Sequence, residues 1–140
     1  MEELRCLSRS PEIYGAEQRL AHRAASPAVV EKLPGGIEWW RAYTTRNGDE
    51  RNNDPSHGNN TGGLTAIREK SLGAVAKGGG PTPLNAVYEC AEPVEAAGLV
   101  FIDTPGYDPM SLTGQVAGGC NNICFTTGPA SLQGSSWRRV

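Results

Sequence analysis

Lys70 and Lys77 stand seven residues apart, a spacing that puts both ammonium groups on nearly the same face of a helix, two turns from one another. Glu69 adjoins Lys70 and points roughly 100° away around that helix. Side chains of these types can bind a carboxylate or exchange a proton, with Glu69 or Asp108 in the complementary acid role; read from spacing alone, a solvated helix face is the favoured reading. His57, in a polar loop, could hold a metal or be an ordinary loop residue, and His22 has less to recommend it. Asp103 and Asp108 flank a Pro-Gly turn, where paired carboxylates could hold a cation or Asp108 could cap the next helix.

The lysines belong to a stretch, Asn52 to Gly80, that the rest of the chain is built to position: NNDPSHGNNTGGLTAIREKSLGAVAKGGG. Gly58, Gly62 and Gly63 let the loop turn its amides inward, and the loop runs straight into a helix whose N-terminus attracts anions. The expected ligand is a carboxylate or phosphate.

The flanking chain supplies a scaffold. A helix can start at Ser10-Pro11, with Ile13, Ala16, Leu20 and Ala24 on its apolar side; a second runs from Ser26 with Val30, Leu33, Ile37 and Trp40, kinked or split at Pro34-Gly35-Gly36. Trp39, Trp40 and Tyr43 read as core or packing residues. After the loop, Leu64, Ile67, Leu72 and Val75 form a helical face ending at Gly78, and Asn85 to Cys90 alternates as a strand. Gly98 to Asp103 is a buried strand that breaks at Thr104-Pro105-Gly106; a short helix from Met110 to Ala117 separates it from a second buried run, Asn122 to Phe125. Met1 to Ser10 shows no pattern. The fold class is α/β: a small, mostly parallel sheet with flanking helices and Gly-rich loops at the strand carboxyl ends, where ligands gather. Thr104 to Asp108, Thr126 to Gly128 and the Asn52 to Gly63 loop are expected on that rim.

Composition bounds the partners. The 13 basic and 15 acidic side chains give a net charge of −2, and no basic stripe is visible, which argues against nucleic acid. Eighteen glycines in 140 residues, against about 7 % in ordinary proteins, mean many tight loops. The first twelve residues carry three acidic side chains and no apolar run, and no segment reaches the ~20 apolar residues of a membrane span, so a cytoplasmic protein with no membrane partner is expected. Cys6, Cys90, Cys120 and Cys124 are scattered and read as small buried hydrophobes more readily than as zinc ligands. Neither GxGxxG nor GxxxxGK[ST] occurs, which ranks a nucleotide site last.

Four segments in unbroken order resemble the C-terminal part of the altronate and galactarate dehydratases: EIYGAEQ (Glu12 to Gln18), NNDPSHGNNTGGLTAIREKSLGAVAKGG (Asn52 to Gly79), FIDTPGYDPMSLTGQVAGG (Phe101 to Gly119) and CFTTG (Cys124 to Gly128). The resemblance covers residues 10–128 of a single partial domain, 1–140, whose ends 1–9 and 131–140 diverge. It implies a hydro-lyase that removes water from an aldonic or aldaric acid to give a keto-deoxy sugar acid. A divalent metal, Fe2+, is the family's expected cofactor, with its main ligands outside this chain. The residues it implies are Lys70, Glu69 and Asp108 for proton transfer or metal support, and Asn59, Ser71, Lys77, Thr104, Thr126 and Thr127 for substrate. Family members are longer, with an N-terminal β-rich domain and a central domain bearing cysteine and histidine motifs. The expected partners are therefore a small-molecule sugar acid and either the missing N-terminal half or a second copy of the chain. Two departures stand out: Asn60 replaces a lysine, and Pro129-Ala130 replaces an Arg-Gly pair that could clamp a carboxylate in bidentate fashion. A non-catalytic module that binds a sugar acid or other carboxylate is the alternative reading.

Overall fold

The computed structural model of the chain describes residues 5–8, 13–48, 61–78 and 80–123. Three parallel strands form one sheet: β1 (Arg5–Ser8), β2 (Leu84–Glu89) and β3 (Leu99–Asp103), in the order β1-β3-β2. Leu7 pairs with Phe101 on one side of the central strand and Val87 with Phe101 on the other. The helices are α1 (Glu17–Ala21), α2 (Pro27–Arg46), α3 (Ile67–Ala76) and α4 (Asp108–Ala117). The expected α/β class and parallel sheet are thus observed.

Strand β3 is central because its run Leu99-Val100-Phe101-Ile102 is apolar on both faces, and all four residues are buried. Leu99 and Phe101 share a face and join Leu84 and Val87 of β2 in a core with Ile13, Leu20 and the stripe Val29, Leu33 and Ile37 of α2. Val75 of α3 closes the same core. Arg23 ties the chain after α3 to the start of β2: its guanidinium donates to the carbonyls of Gly78 and Thr82 at 2.6 and 2.7 Å. The backbone does likewise, since Leu84 N–H donates to Arg23 O at 2.7 Å and Ala25 N–H to Leu84 O at 2.8 Å.

Several expectations need correction. The first helix is only α1, because Gly15 sits at φ +81, outside the helical region, although Ile13, Ala16 and Leu20 are buried as expected; its expected start at Ser10 lies outside the described residues. Helix α2 runs through Pro34 without a break. A proline there removes one hydrogen bond, at a cost of about 3 kcal/mol, and burial of Leu33 and Ile37 on either side outweighs it. The buried stripe begins at Val29; Val30 is exposed. Of the expected core or packing roles, Trp39 and Tyr43 take the second: they are 51 % and 45 % exposed, and the indole of Trp39 stacks on the Tyr43 ring, centroids 5.3 Å apart. Cys90 is exposed and Cys120 half-buried, so neither is the fully buried hydrophobe that was expected. Arg5–Ser8, a segment without a sequence pattern, is a strand. Residues 120–123 take no strand pairing, and the rest of that expected strand lies outside the described residues. No described helix is long and apolar enough to cross a membrane.

Candidate functional site

Where β2 and β3 end, the chain turns away from the sheet and leaves an open cleft of ≈ 810 Å³ against α2. One wall is the α2 stripe Lys32, Gly35, Gly36, Trp39 and Trp40. Gly35 and Gly36 have no side chains to fill the space, so the dipeptide that reads as a helix breaker is where the helix makes room. The other wall is the end of β2 with the turn after it, Val87 to Cys90 and Glu92, and the floor includes Asp103 and Pro105 after β3. This is the carboxyl end of a parallel sheet, where α/β proteins place ligands.

Asp103 is the best-defined polar group in the cleft. Trp40 donates its indole N–H to Asp103 Oδ1 at 3.1 Å, joining α2 to the end of β3. Among the described residues nothing hydrogen-bonds Oδ2 of Asp103. Beside it, burial pushes the Cys90 thiol pKa up from its ordinary value, and the negative charge of Asp103 adds to that rise. Glu92 folds back and accepts the backbone N–H of Glu89 at 2.8 Å, holding the turn that carries Cys90. Lys32 extends to Val87 O at 3.4 Å.

The residues expected from the sequence to carry chemistry sit elsewhere. Glu69 is exposed in the first turn of α3 and accepts both the backbone N–H and the hydroxyl of Thr65, at 2.8 and 3.1 Å. These bonds hold its carboxyl below the usual carboxylate range, the backbone bond contributing most. The start of α3, expected to attract an external anion, thus already carries an anion of its own. Lys70 is half-buried and Lys77 exposed at the C-cap. Ser71 is fully buried and donates to Ile67 O at 3.0 Å. Thr104, also fully buried, shares a 2.7 Å hydrogen bond with Ser111, which accepts from Gln115 at 3.1 Å. Asp108 opens α4 half-buried, with its charge in the favourable first turn. Asn59, Thr126 and Thr127 lie outside the described residues, as do His57 and the Asn52 to Asn60 part of the loop.

None of Lys70, Ser71, Lys77 or Thr104 lines the cleft; Thr104 lies between two residues that do, with its side chain turned into the protein. Asp103 and Trp40 are the residues that sequence reasoning undervalued. Their signal was a carboxylate at the end of a wholly apolar strand, a position that favours ligands. Among the described residues no three of His, Cys, Asp and Glu come together as a metal site, and His22 is exposed. The expected divalent metal therefore does not fit a donor set here, and no chemical step is assigned to one.

The family model described as D-galactarate/Altronate dehydratase, C-terminal, matches residues 2–138. The altronate dehydratase of Bacillus subtilis is 34 % identical over 122 residues, covering 87 % of this chain and 24 % of that protein. The galactarate dehydratase (L-threo-forming) of Escherichia coli is 33 % identical over 123 residues, covering 88 % and 23 %. The (2R)-sulfolactate sulfo-lyase subunit beta of Chromohalobacter salexigens is 31 % identical over 126 residues, covering 89 % and 32 %. The chain thus spans between about a quarter and a third of the length of these curated relatives.

Proposed function

Because the chain belongs to the family of the C-terminal region of D-galactarate and altronate dehydratases, we propose that it is the C-terminal part of a hydro-lyase. Its reaction removes water from an aldonic or aldaric acid such as altronate or galactarate and leaves a keto-deoxy sugar acid. The observation that carries this reading is the match over residues 2–138, supported by relatives at 34 % and 33 % identity whose names are those of sugar-acid dehydratases.

Dehydration of this kind needs a base for the proton α to the carboxylate, positive charge to hold the enediolate that forms, and an acid for the departing β-hydroxyl. Lys70 binds the carboxylate or takes the proton, and Lys77 adds charge. Glu69, kept ionised by Thr65, suits a base and not an acid; Asp108 is the candidate acid. Asn59, Thr126 and Thr127 are proposed to meet the substrate's hydroxyls. Ser71 and Thr104, with their hydroxyls bonded inside the protein, act from behind as positioning residues for α3 and the end of β3. The divalent metal that the family resemblance implies, Fe2+, would take its main ligands from outside this chain, and no step is routed through it. A soluble, cytoplasmic setting and completion of the site by an N-terminal half or a second copy belong to the same proposal.

A second reading, a non-catalytic sugar-acid or carboxylate-binding module, is favoured by one observation: the Glu69 carboxylate is already occupied by Thr65. One assay separates the two. The chain is incubated with altronate, galactarate and ferrous iron, and 2-keto acid formation is followed; the sulfo-lyase relative puts (2R)-sulfolactate in the assay as a third acid. Because the chain by itself is taken to be incomplete for catalysis, the expected result is product above a Lys70→Ala control when the N-terminal portion of the Bacillus subtilis relative is supplied alongside. Calorimetric binding without turnover supports the module, and absence of both binding and turnover overturns both readings.

A further inference from the structure

We propose that the cleft between α2 and the ends of β2 and β3 is a subsite for the hydroxylated chain of a sugar acid, with Asp103 as its hydroxyl acceptor and Trp39 as its contact face. The choice of a sugar acid rests on the dehydratase reading above; the geometry of the cleft does not.

Three features point to this ligand chemistry. The first is Asp103 itself. Trp40 fixes one carboxylate oxygen at 3.1 Å and leaves Oδ2 without a hydrogen bond among the described residues. A carboxylate accepts strongly from hydroxyl donors, and an oriented one does so without first losing side-chain freedom. The second is the aromatic wall. Trp39 is 51 % exposed yet braced, its ring lying within 10° of parallel to Tyr43 and edge-on to Trp40 at 4.7 Å. Its electron-rich face suits the weakly positive C–H groups along a sugar chain. The third is charge. Among the described residues, Glu89, Glu92 and Asp103 line the cleft against one cation, Lys32, an excess of two negative charges by formal count. That balance repels the carboxylate end of a sugar acid and accepts its hydroxyls, which donate. The acid end then falls to cations outside the cleft, which is the role the preceding reading gives Lys70 and Lys77. At ≈ 810 Å³ the cleft is within the usual ~300–1,000 Å³ of small-molecule sites.

The test uses proton–nitrogen NMR on the full 140-residue chain, following the indole N–H signals of its three tryptophans during titration with galactarate and, separately, with galactitol, the neutral hexitol. Both ligands are expected to shift the Trp39 and Trp40 signals, and galactitol to bind equally well to Lys70→Ala. Asp103→Asn keeps an oxygen to accept the Trp40 N–H but loses the charge, and should weaken both ligands about tenfold, roughly the effect of removing one charge-assisted bond. Gly35→Leu is a better helix former, and no atom lies within 4 Å of the added Cβ; the side chain fills the cleft and should abolish binding. Melting curves confirm that each variant folds, and if Asp103→Asn does not, Gly35→Leu decides. The proposal is overturned if neither ligand shifts the indole signals of the wild-type chain, or if folded Gly35→Leu or Asp103→Asn binds as the wild type does. The two readings fail separately. Keto-acid formation untouched by both substitutions sinks the subsite and leaves the dehydratase; cleft binding of galactitol without any turnover does the reverse.

Discussion

Gly114 and Gly118 lie one turn apart on α4 and its C-cap, facing the turn that follows β2, and their missing side chains set how closely helix and turn approach. A Cβ at position 114 would come within 2.5 Å of Cys90 Sγ; one at 118 would come within 2.9 Å of the backbone oxygen of Glu92. The first obstacle is a side chain and the second is main chain, so the two substitutions should behave differently. Gly118→Ala is expected to destabilise the protein by about 1–3 kcal/mol, the range for overpacking, whatever occupies position 90. Gly114→Ala should destabilise less in a Cys90→Ala background than in the wild type. Urea unfolding midpoints of the two glycine variants, of Cys90→Ala and of the two double variants check this. The Cys90 thiol, which such a Cβ would meet, is the one whose pKa burial raises first and the Asp103 charge second, although the residue as a whole is exposed.

Helix α2 carries both scaffold and cleft wall, and α3 shows how a helix start is held without a capping side chain at its first position. Along α2, Val29, Leu33 and Ile37 face the core while Lys32, Gly35, Gly36 and Trp39 line the cleft, so the two stripes are offset around one helix. In α3, no side chain caps the N-cap residue Ala66; the start is held by Glu69 reaching back to Thr65. Because those bonds lower the Glu69 pKa in the folded protein, their contribution is present above the ordinary glutamate pKa and is lost as pH falls through the lowered folded value. Glu69→Gln should accordingly raise amide hydrogen exchange at Thr65 at neutral pH. In acid, where the wild-type carboxylate also loses its charge, the difference between the two proteins should shrink.

On the scale of the whole molecule, the sheet depends on a strand far away in sequence. β1 covers one edge of β3, and β3 holds the most deeply buried residues: Val100, Phe101 and Ile102 have no exposed surface. Removing residues 1–8 leaves that edge with unpaired backbone groups beside an apolar strand, the usual template for aggregation. The truncated chain should lose cooperative unfolding in urea and run as aggregates in size-exclusion chromatography; a monodisperse, two-state truncation would show that β1 is dispensable.

The sequence by itself determined the α/β class, two strands read as Asn85 to Cys90 and Gly98 to Asp103 and observed one residue away as Leu84–Glu89 and Leu99–Asp103, the helix bearing Lys70, and the four motifs that mark the family, because each depends on local periodicity or on residues contiguous in the chain. Only the tertiary structure decided the rest. Arg5–Ser8 is too short to show a period and becomes a strand through pairing with β3. Pro34-Gly35-Gly36 is locally a helix breaker, but the helix persists because Leu33 and Ile37 are buried on either side of it. The Trp40–Asp103 bond spans 63 positions, beyond any local pattern. Ser71 and Thr104 have the hydroxyls a sugar would want, but whether a hydroxyl faces a ligand or a neighbouring carbonyl or serine depends on packing, and here both turn inward.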